Sequence, residues 1–181
     1  MPAYAYAILV SGMVVWFTPF VLAHRLVTAA STVDRRSRWG VLLQFVAYSL
    51  LWQGHFWTRP LPLWRTFASV VLLAMAAILS WTSSSALGSH LRVDAALGSE
   101  HSLVRSGPYA IVRNPIYTSM LCLLCATAVV IAPWQLFLVS LLLFAVGTEI
   151  RVRTEEKLLA SRFGEEFQAY KRNVAAYIPF L

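Results

Sequence analysis

The chain has 181 residues, 59% of them hydrophobic and 13% charged, and a formal net charge of +7. That length suits one compact domain, and a charged share well below the roughly 25% of ordinary soluble domains excludes a disordered chain and disfavours a water-soluble globule. Two cysteines cannot staple a secreted scaffold, and the basic surplus, ambiguous between nucleic acid and membrane surface, is resolved by the apolar content in favour of the membrane.

A bilayer core takes roughly 20 apolar residues per helix. The first uncharged stretch runs from Tyr4 to Ala23, ahead of His24 and Arg25. It has no charged leader and continues too far for a signal core, so it is expected to be a span. The second runs from Trp39 to Thr58 and the third from Thr66 to Leu87. The fourth is uncharged from Asn114 to Thr148, too long for one span, and Pro133 marks a tight turn that folds it into a hairpin of two helices. The expected fold is all-α, a multi-pass membrane protein with five transmembrane helices and C-terminal helices in the cytoplasm.

Basic residues set the orientation. With the N-terminus outside, 13 of the 15 Lys and Arg residues face the cytoplasm. Trp39, Trp57, Trp64, Trp81 and Trp134 fall near span ends, where indoles favour the interface. The character of the chain changes at residue 83. Residues 1–82 read as three plain spans, and residues 83–181 as the half that carries chemistry.

That second half opens on Ser83-Ser84-Ser85 and continues through Gly98-Ser99-Glu100-His101-Ser102-Leu103-Val104-Arg105-Ser106-Gly107-Pro108-Tyr109 to Arg113-Asn114-Pro115-Ile116-Tyr117. Gly and Pro predict irregular backbone there, tolerated beside a membrane where protein or water covers it. Pro115 suits the first turn of the fourth helix, whose amides could meet an anionic group. An ordinary loop with a helix entry explains the same residues.

Past the fifth span, Arg151 and Glu155 lie four apart on one helix face, as do Arg153 and Lys157. On pattern alone, a charged helix emerging into water with routine surface contacts is the favoured explanation. Glu149 stands out, because an acid at the edge of a span faces protein or water. Phe163, Phe167 and Tyr170 recur at i, i+4 and i+7, which predicts an amphipathic helix, and Tyr177-Ile178-Pro179-Phe180 closes the chain. Cys122 and Cys125 have a redox spacing inside an apolar helix, where thiolates are disfavoured. His24, His55 and His90 have no metal-ligand spacing, and no Walker or dinucleotide glycine loop is present.

Four blocks occur in order: His101-Ser-Leu-Val-Arg-Ser-Gly107-Pro108-Tyr109, Arg113-Asn114-Pro115-Ile-Tyr117, Arg151-x-x-x-Glu155 and Phe163-Gly164-x-x-Phe-x-x-Tyr170. Together they resemble the isoprenylcysteine carboxyl methyltransferase family, which is related to the phospholipid N-methyltransferases. The resemblance covers residues 90–181. It implies an integral membrane enzyme that transfers a methyl group from S-adenosylmethionine, with the C-terminal helices covering a cofactor pocket on the cytoplasmic side. It implies cofactor contacts from Asp94, His101, Ser102, Leu103, Val104, Tyr109, Asn114, Pro115, Ile116, Tyr117 and Glu155. It makes Arg151 and Glu155 the catalytic pair, with Arg151 binding the carboxylate of a prenylcysteine-like or other lipophilic acceptor that enters from the bilayer. No metal is implied. The site would lie in the cell membrane of a prokaryote or the endoplasmic reticulum of a eukaryote.

One departure stands out. The family usually has His where this chain has Asn114, and an amide hydrogen-bonds but does not titrate near neutral pH. Arg151 favours a carboxylate acceptor, since its planar fork grips two oxygens. A phospholipid or amine N-methyltransferase, a longer NADPH-dependent sterol-type reductase and a non-catalytic membrane scaffold are the competing readings.

Overall fold

A computed structural model of the chain describes residues 2–24, 32–33, 37–53, 61–88, 96–97 and 103–178. Six α-helices carry the described fold: α1 (Ala3–His24), α2 (Ser37–Leu51), α3 (Leu63–Leu87), α4 (Pro115–Ile131), α5 (Trp134–Phe163) and α6 (Glu165–Asn173). A short antiparallel pairing of β1 (Thr32–Val33) with β2 (Ala96–Leu97) ties the loop after α1 to the loop after α3. Among the described residues, the remaining regular structure is helical, in keeping with the expected all-α class.

Proline marks the start of three helices. Pro62 and Pro133 stand just ahead of α3 and α5, and Pro115 occupies the first turn of α4, where a missing amide hydrogen costs nothing. Pro19 lies inside α1. Its ring removes the amide hydrogen that would meet the Val15 carbonyl. The Trp81 indole, on α3, donates to that carbonyl instead at 2.9 Å, so the freed acceptor is satisfied from a neighbouring helix.

α3 packs along α4 and α1, and α2 packs along α5. The α2 residues facing inward are Ser37, Gly40, Gln44, Ala47 and Leu51, a narrow stripe at alternating spacings of three and four. Polar groups join the bundle across helices. Trp16 Nε1 donates to Ser119 Oγ at 3.0 Å, Ser80 Oγ donates to the Trp16 carbonyl at 2.8 Å, and Tyr48 OH donates to the Met120 carbonyl at 2.6 Å. Such bonds replace the hydrophobic drive that apolar helices lack in lipid.

Large apolar side chains are exposed on α1, α2, α3 and α5, among them Phe17, Phe45, Phe67 and Leu142, whereas α4 contributes none and forms the centre of the bundle. Among the described residues, three helices are long and apolar enough to cross a membrane: Ala3–Leu22, Leu63–Leu87 and Trp134–Phe163. α4 is a shorter apolar helix of 17 residues and α2 has 15. Three spans therefore meet the length criterion, against the five expected.

Two further differences concern the second half. Ser83, Ser84 and Ser85 lie within α3, inside the third apolar stretch, which was expected to run to Leu87. Ser83 and Ser84 are buried on its inner face, which the polar reading of that triplet did not anticipate. The amphipathic stretch from Phe163 to Tyr170 is not one helix. Gly164 adopts φ +50, which ends α5 at Phe163 and starts α6 at Glu165.

Candidate functional site

The site forms where the start of α4, the charged end of α5, a 3₁₀ turn over Gly107–Ala110 and α6 meet. Asn114 and Pro115 open α4 and place Tyr117 in its first turn, buried. One helical turn separates Arg151 from Glu155 on α5. Tyr117 OH donates to Glu155 Oε1. The Arg151 guanidinium lies 3.8 Å from the same carboxylate oxygen and 5.2 Å from the Tyr117 ring centroid. One cation, one anion and one aromatic face thus occupy a single cluster, in which Arg151 is only 8% exposed. A buried charge is tolerated when a counter-charge and a polarisable ring accompany it.

Tyr109, in the 3₁₀ turn, is buried within electrostatic reach of Glu155. Its backbone carbonyl accepts the Tyr170 hydroxyl at 2.6 Å, which couples the 3₁₀ turn to α6. Burial pushes the Tyr109 hydroxyl well above its usual pKa, and the nearby Glu155 carboxylate raises it further. Burial likewise lifts Tyr170 to about 12, against the opposing pull of Arg113 and Arg105. Tyr170 therefore stays protonated and keeps donating throughout the ordinary pH range.

The segment after α6 straps the site from outside. Val112 and Ala175 form a parallel bridge, Arg113 N donates to the Ala175 carbonyl at 2.8 Å, and Asn114 N donates to the Ala176 carbonyl at 3.1 Å. The Asn114 side-chain amide donates to the same Ala176 oxygen, also at 3.1 Å. Arg113 spans the Lys171 and Val174 carbonyls at 2.8 and 2.5 Å and pairs with Glu156 at 3.2 Å. Thr118 Oγ1 donates to the Tyr177 carbonyl at 3.1 Å, and Tyr177 OH donates to Glu149 Oε2 at the same distance. Adjacent acids on α5 thus divide the work. Glu155 turns to Tyr117 and Arg151, and Glu156 to Arg113 and Lys171.

Of the residues singled out from sequence, Tyr109, Tyr117, Arg151 and Glu155 come together. Pro115 is fully buried and Ile116 half-buried beside them. Leu103 and Val104 lie half-buried in the irregular stretch ahead of the 3₁₀ turn. Asn114 is tied to the strap through the Ala176 carbonyl. Asp94, His101 and Ser102 fall outside the described residues. Glu149, the acid at the span edge, meets protein as expected, through Tyr177 and Arg153. Cys122 is buried and Cys125 half-buried, both as free thiols.

Sequence reasoning missed three participants. Gln44 of α2 reaches Arg151, and the glycine pair Gly40 and Gly147 lets α2 approach α5 closely enough for that. The available signal for Gln44 was an amide in the middle of an apolar run, a pattern that marks polar contacts between helices.

The sequence pattern of the phospholipid methyltransferase family matches residues 64–166. That interval holds the 3₁₀ turn, Tyr117, Arg151 and Glu155. The cobalt-zinc-cadmium resistance protein CzcN of Cupriavidus metallidurans is 30% identical over 155 residues, covering 83% of this chain and 66% of that protein. The protein-S-isoprenylcysteine O-methyltransferase of Schizosaccharomyces pombe is 32% identical over 83 residues, covering 45% of this chain and 35% of that protein. The chain spans just under two thirds of the first relative and about a third of the second. With more than half of its residues inside the family pattern, the chain belongs to the phospholipid methyltransferase family.

Proposed function

We propose that this protein is a membrane methyltransferase that uses S-adenosylmethionine to methylate the carboxylate of a lipophilic acceptor. The observation that carries this reading is the Tyr117–Arg151–Glu155 cluster, a caged guanidinium beside a carboxylate at the end of an apolar bundle. Family membership supports the reaction class, and the likeness to an isoprenylcysteine O-methyltransferase supports the carboxyl acceptor.

The residues present fit such a cofactor. Glu155 receives Tyr117 at Oε1, and a carboxylate has further lone pairs with which to accept a ribose hydroxyl or an ammonium group. Tyr109 and Tyr117 offer aromatic rings to an adenine or a cationic sulfur. Leu103, Val104, Pro115 and Ile116 provide apolar lining, and Asn114 offers the oxygen of its amide. When bound, S-adenosylmethionine supplies a methyl group on a positively charged sulfur.

The chain's own part is binding and alignment. Arg151 presents a planar, permanently charged fork that suits the two oxygens of a carboxylate. An acceptor of that kind is already ionised at neutral pH, so no residue has to take a proton from it. Glu155 balances the Arg151 guanidinium when the acceptor site is empty. The strap from Val174 to Tyr177 excludes water from one side, a condition under which orientation has a large effect on rate.

The reading includes a topology of five membrane-crossing helices with the N-terminus outside. α2 and α4 are then the short members, accommodated by local thinning of the bilayer.

A second reading, methylation of a phospholipid amine, is favoured by the description of the family. Against it stands Arg151, whose charge repels a protonated amine and serves no purpose beside a neutral one. Protein reconstituted with methyl-labelled S-adenosylmethionine and an S-prenylated N-acylcysteine separates the two. The carboxyl reading predicts a product that releases labelled methanol in base. An alkali-stable label on phosphatidylethanolamine, with none on the acid, rejects it.

A further inference from the structure

Gln44 lies in the middle of α2, in the half of the chain to which no site residue was assigned. Its side chain is only 3% exposed and meets two groups on α5. Nε2 donates to Thr148 Oγ1 at 2.8 Å, and Oε1 accepts from an Arg151 terminal nitrogen at 3.4 Å. Chemistry fixes which way the amide points. A guanidinium carries donors only, so the edge of the amide that faces Arg151 must be its oxygen.

The backbone of α2 reinforces this contact. A Cβ placed on Gly40 would lie 2.5 Å from both the Gly147 carbonyl oxygen and Arg151 Cγ. α2 therefore rests on the aliphatic stem of Arg151 at Gly40, and one turn later its Gln44 meets the charged head. Glu155 and the Tyr117 ring bound that head as well. Arg151 is held from two helices that are far apart in sequence.

The neutrality of Gln44 matters as much as its position. Arg151 and Glu155 together sum to zero charge. An acid at position 44 would accept from the guanidinium equally well but leave the site with a net negative charge, which repels an incoming carboxylate at short range in a poorly screened environment. An amide orients the cation without that penalty.

We infer that Gln44 is the positioning residue for Arg151 and that its neutral amide sets the preference of the site for an anionic acceptor. This rests on the reading of Arg151 as the carboxylate-binding group. It places acceptor selection partly on α2.

The test uses the full chain reconstituted in lipid, with S-adenosylmethionine and an S-prenylated N-acylcysteine as the acid acceptor. Its methyl ester, the uncharged product, serves as a competitive inhibitor. Gln44→Leu removes one hydrogen bond to a charged group, so the acceptor KM rises about tenfold while the KM for S-adenosylmethionine stays within about twofold. Gln44→Glu preserves both contacts, because a carboxylate accepts from Arg151 and from the Thr148 hydroxyl. Its acceptor KM nevertheless rises on the order of a hundredfold, while the inhibition constant of the ester stays within about twofold. A merely structural role would weaken acid and ester alike. Should Gln44→Leu fail to fold, Thr148→Val releases the far end of the amide and is expected to raise the acceptor KM about threefold. Wild-type acceptor KM in the folded variants, or equal weakening of acid and ester, overturns the inference alone. Wild-type protein that methylates no carboxylate overturns the reading beneath it and the inference together.

Discussion

Arg151 is held against Gln44, Glu155 and the face of Tyr117 in a largely apolar bundle, and an ion so enclosed costs stability unless its surroundings balance it. A permanent charge kept in such a place at the end of an apolar helix is a functional arrangement by default. The proposed division of labour gives the acceptor to Arg151 and the cofactor to Glu155, Tyr109 and Tyr117. Arg151→Ala is then expected to reduce turnover below detection and to change S-adenosylmethionine affinity by no more than about threefold, as read by calorimetry. Loss of cofactor binding in that variant would reject the division. The pairing of Arg151 with Glu155 was legible from a spacing of four on one helix. Asn114 was legible as a cofactor contact implied by the resemblance and as a departure from its usual His, but not as a partner of the C-terminal segment. Its engagement with the Ala176 carbonyl joins residues about sixty apart in sequence, and no local pattern announces such a contact. The same holds for Gln44, whose partner is Arg151, more than a hundred residues away.

Elements were legible where their causes are local. α1 matches the apolar stretch from Tyr4 to Ala23 to within a residue at each end, and Pro133 divides α4 from α5 as the turn chemistry predicts. The break at Gly164 was obscured because Phe163, Phe167 and Tyr170 keep helical spacing across it, while a positive φ is a property of the backbone that spacing does not report. The close crossing of α2 and α5 depends on two glycines that no run of hydrophobicity marks. A Cβ on Gly147 would lie 2.8 Å from the Gly40 carbonyl oxygen and 3.0 Å from Leu43 Cβ. Backbone cannot step aside as a side-chain tip can, so Gly147→Ala must part the helices. Its expected cost is about 1–3 kcal/mol, read as a lowered unfolding midpoint in detergent, together with a raised acceptor KM as Gln44 is drawn off Arg151. An unchanged midpoint would show that the two helices do not pack as described.

At the scale of the whole molecule, the apolar exterior and the polar end of the bundle divide the protein into a part that fits lipid and a part that meets solvent. Trp39, Trp64 and Trp134 are exposed at helix ends, as interfacial anchors are. The proposed orientation places the charged end of α5, α6 and the strap in the cytoplasm. A reporter joined after Leu181 should therefore be active only on the cytoplasmic side, and activity on the opposite side would reverse the topology. Function then depends on whether the polar end accepts a sulfonium donor. Calorimetric titration of the purified protein with S-adenosylmethionine and S-adenosylhomocysteine measures this most directly. Saturable one-to-one binding, weakened at least about tenfold by Glu155→Gln through loss of a charged hydrogen-bond acceptor, is the predicted result. Absence of saturable binding of either compound to folded wild-type protein would contradict the account.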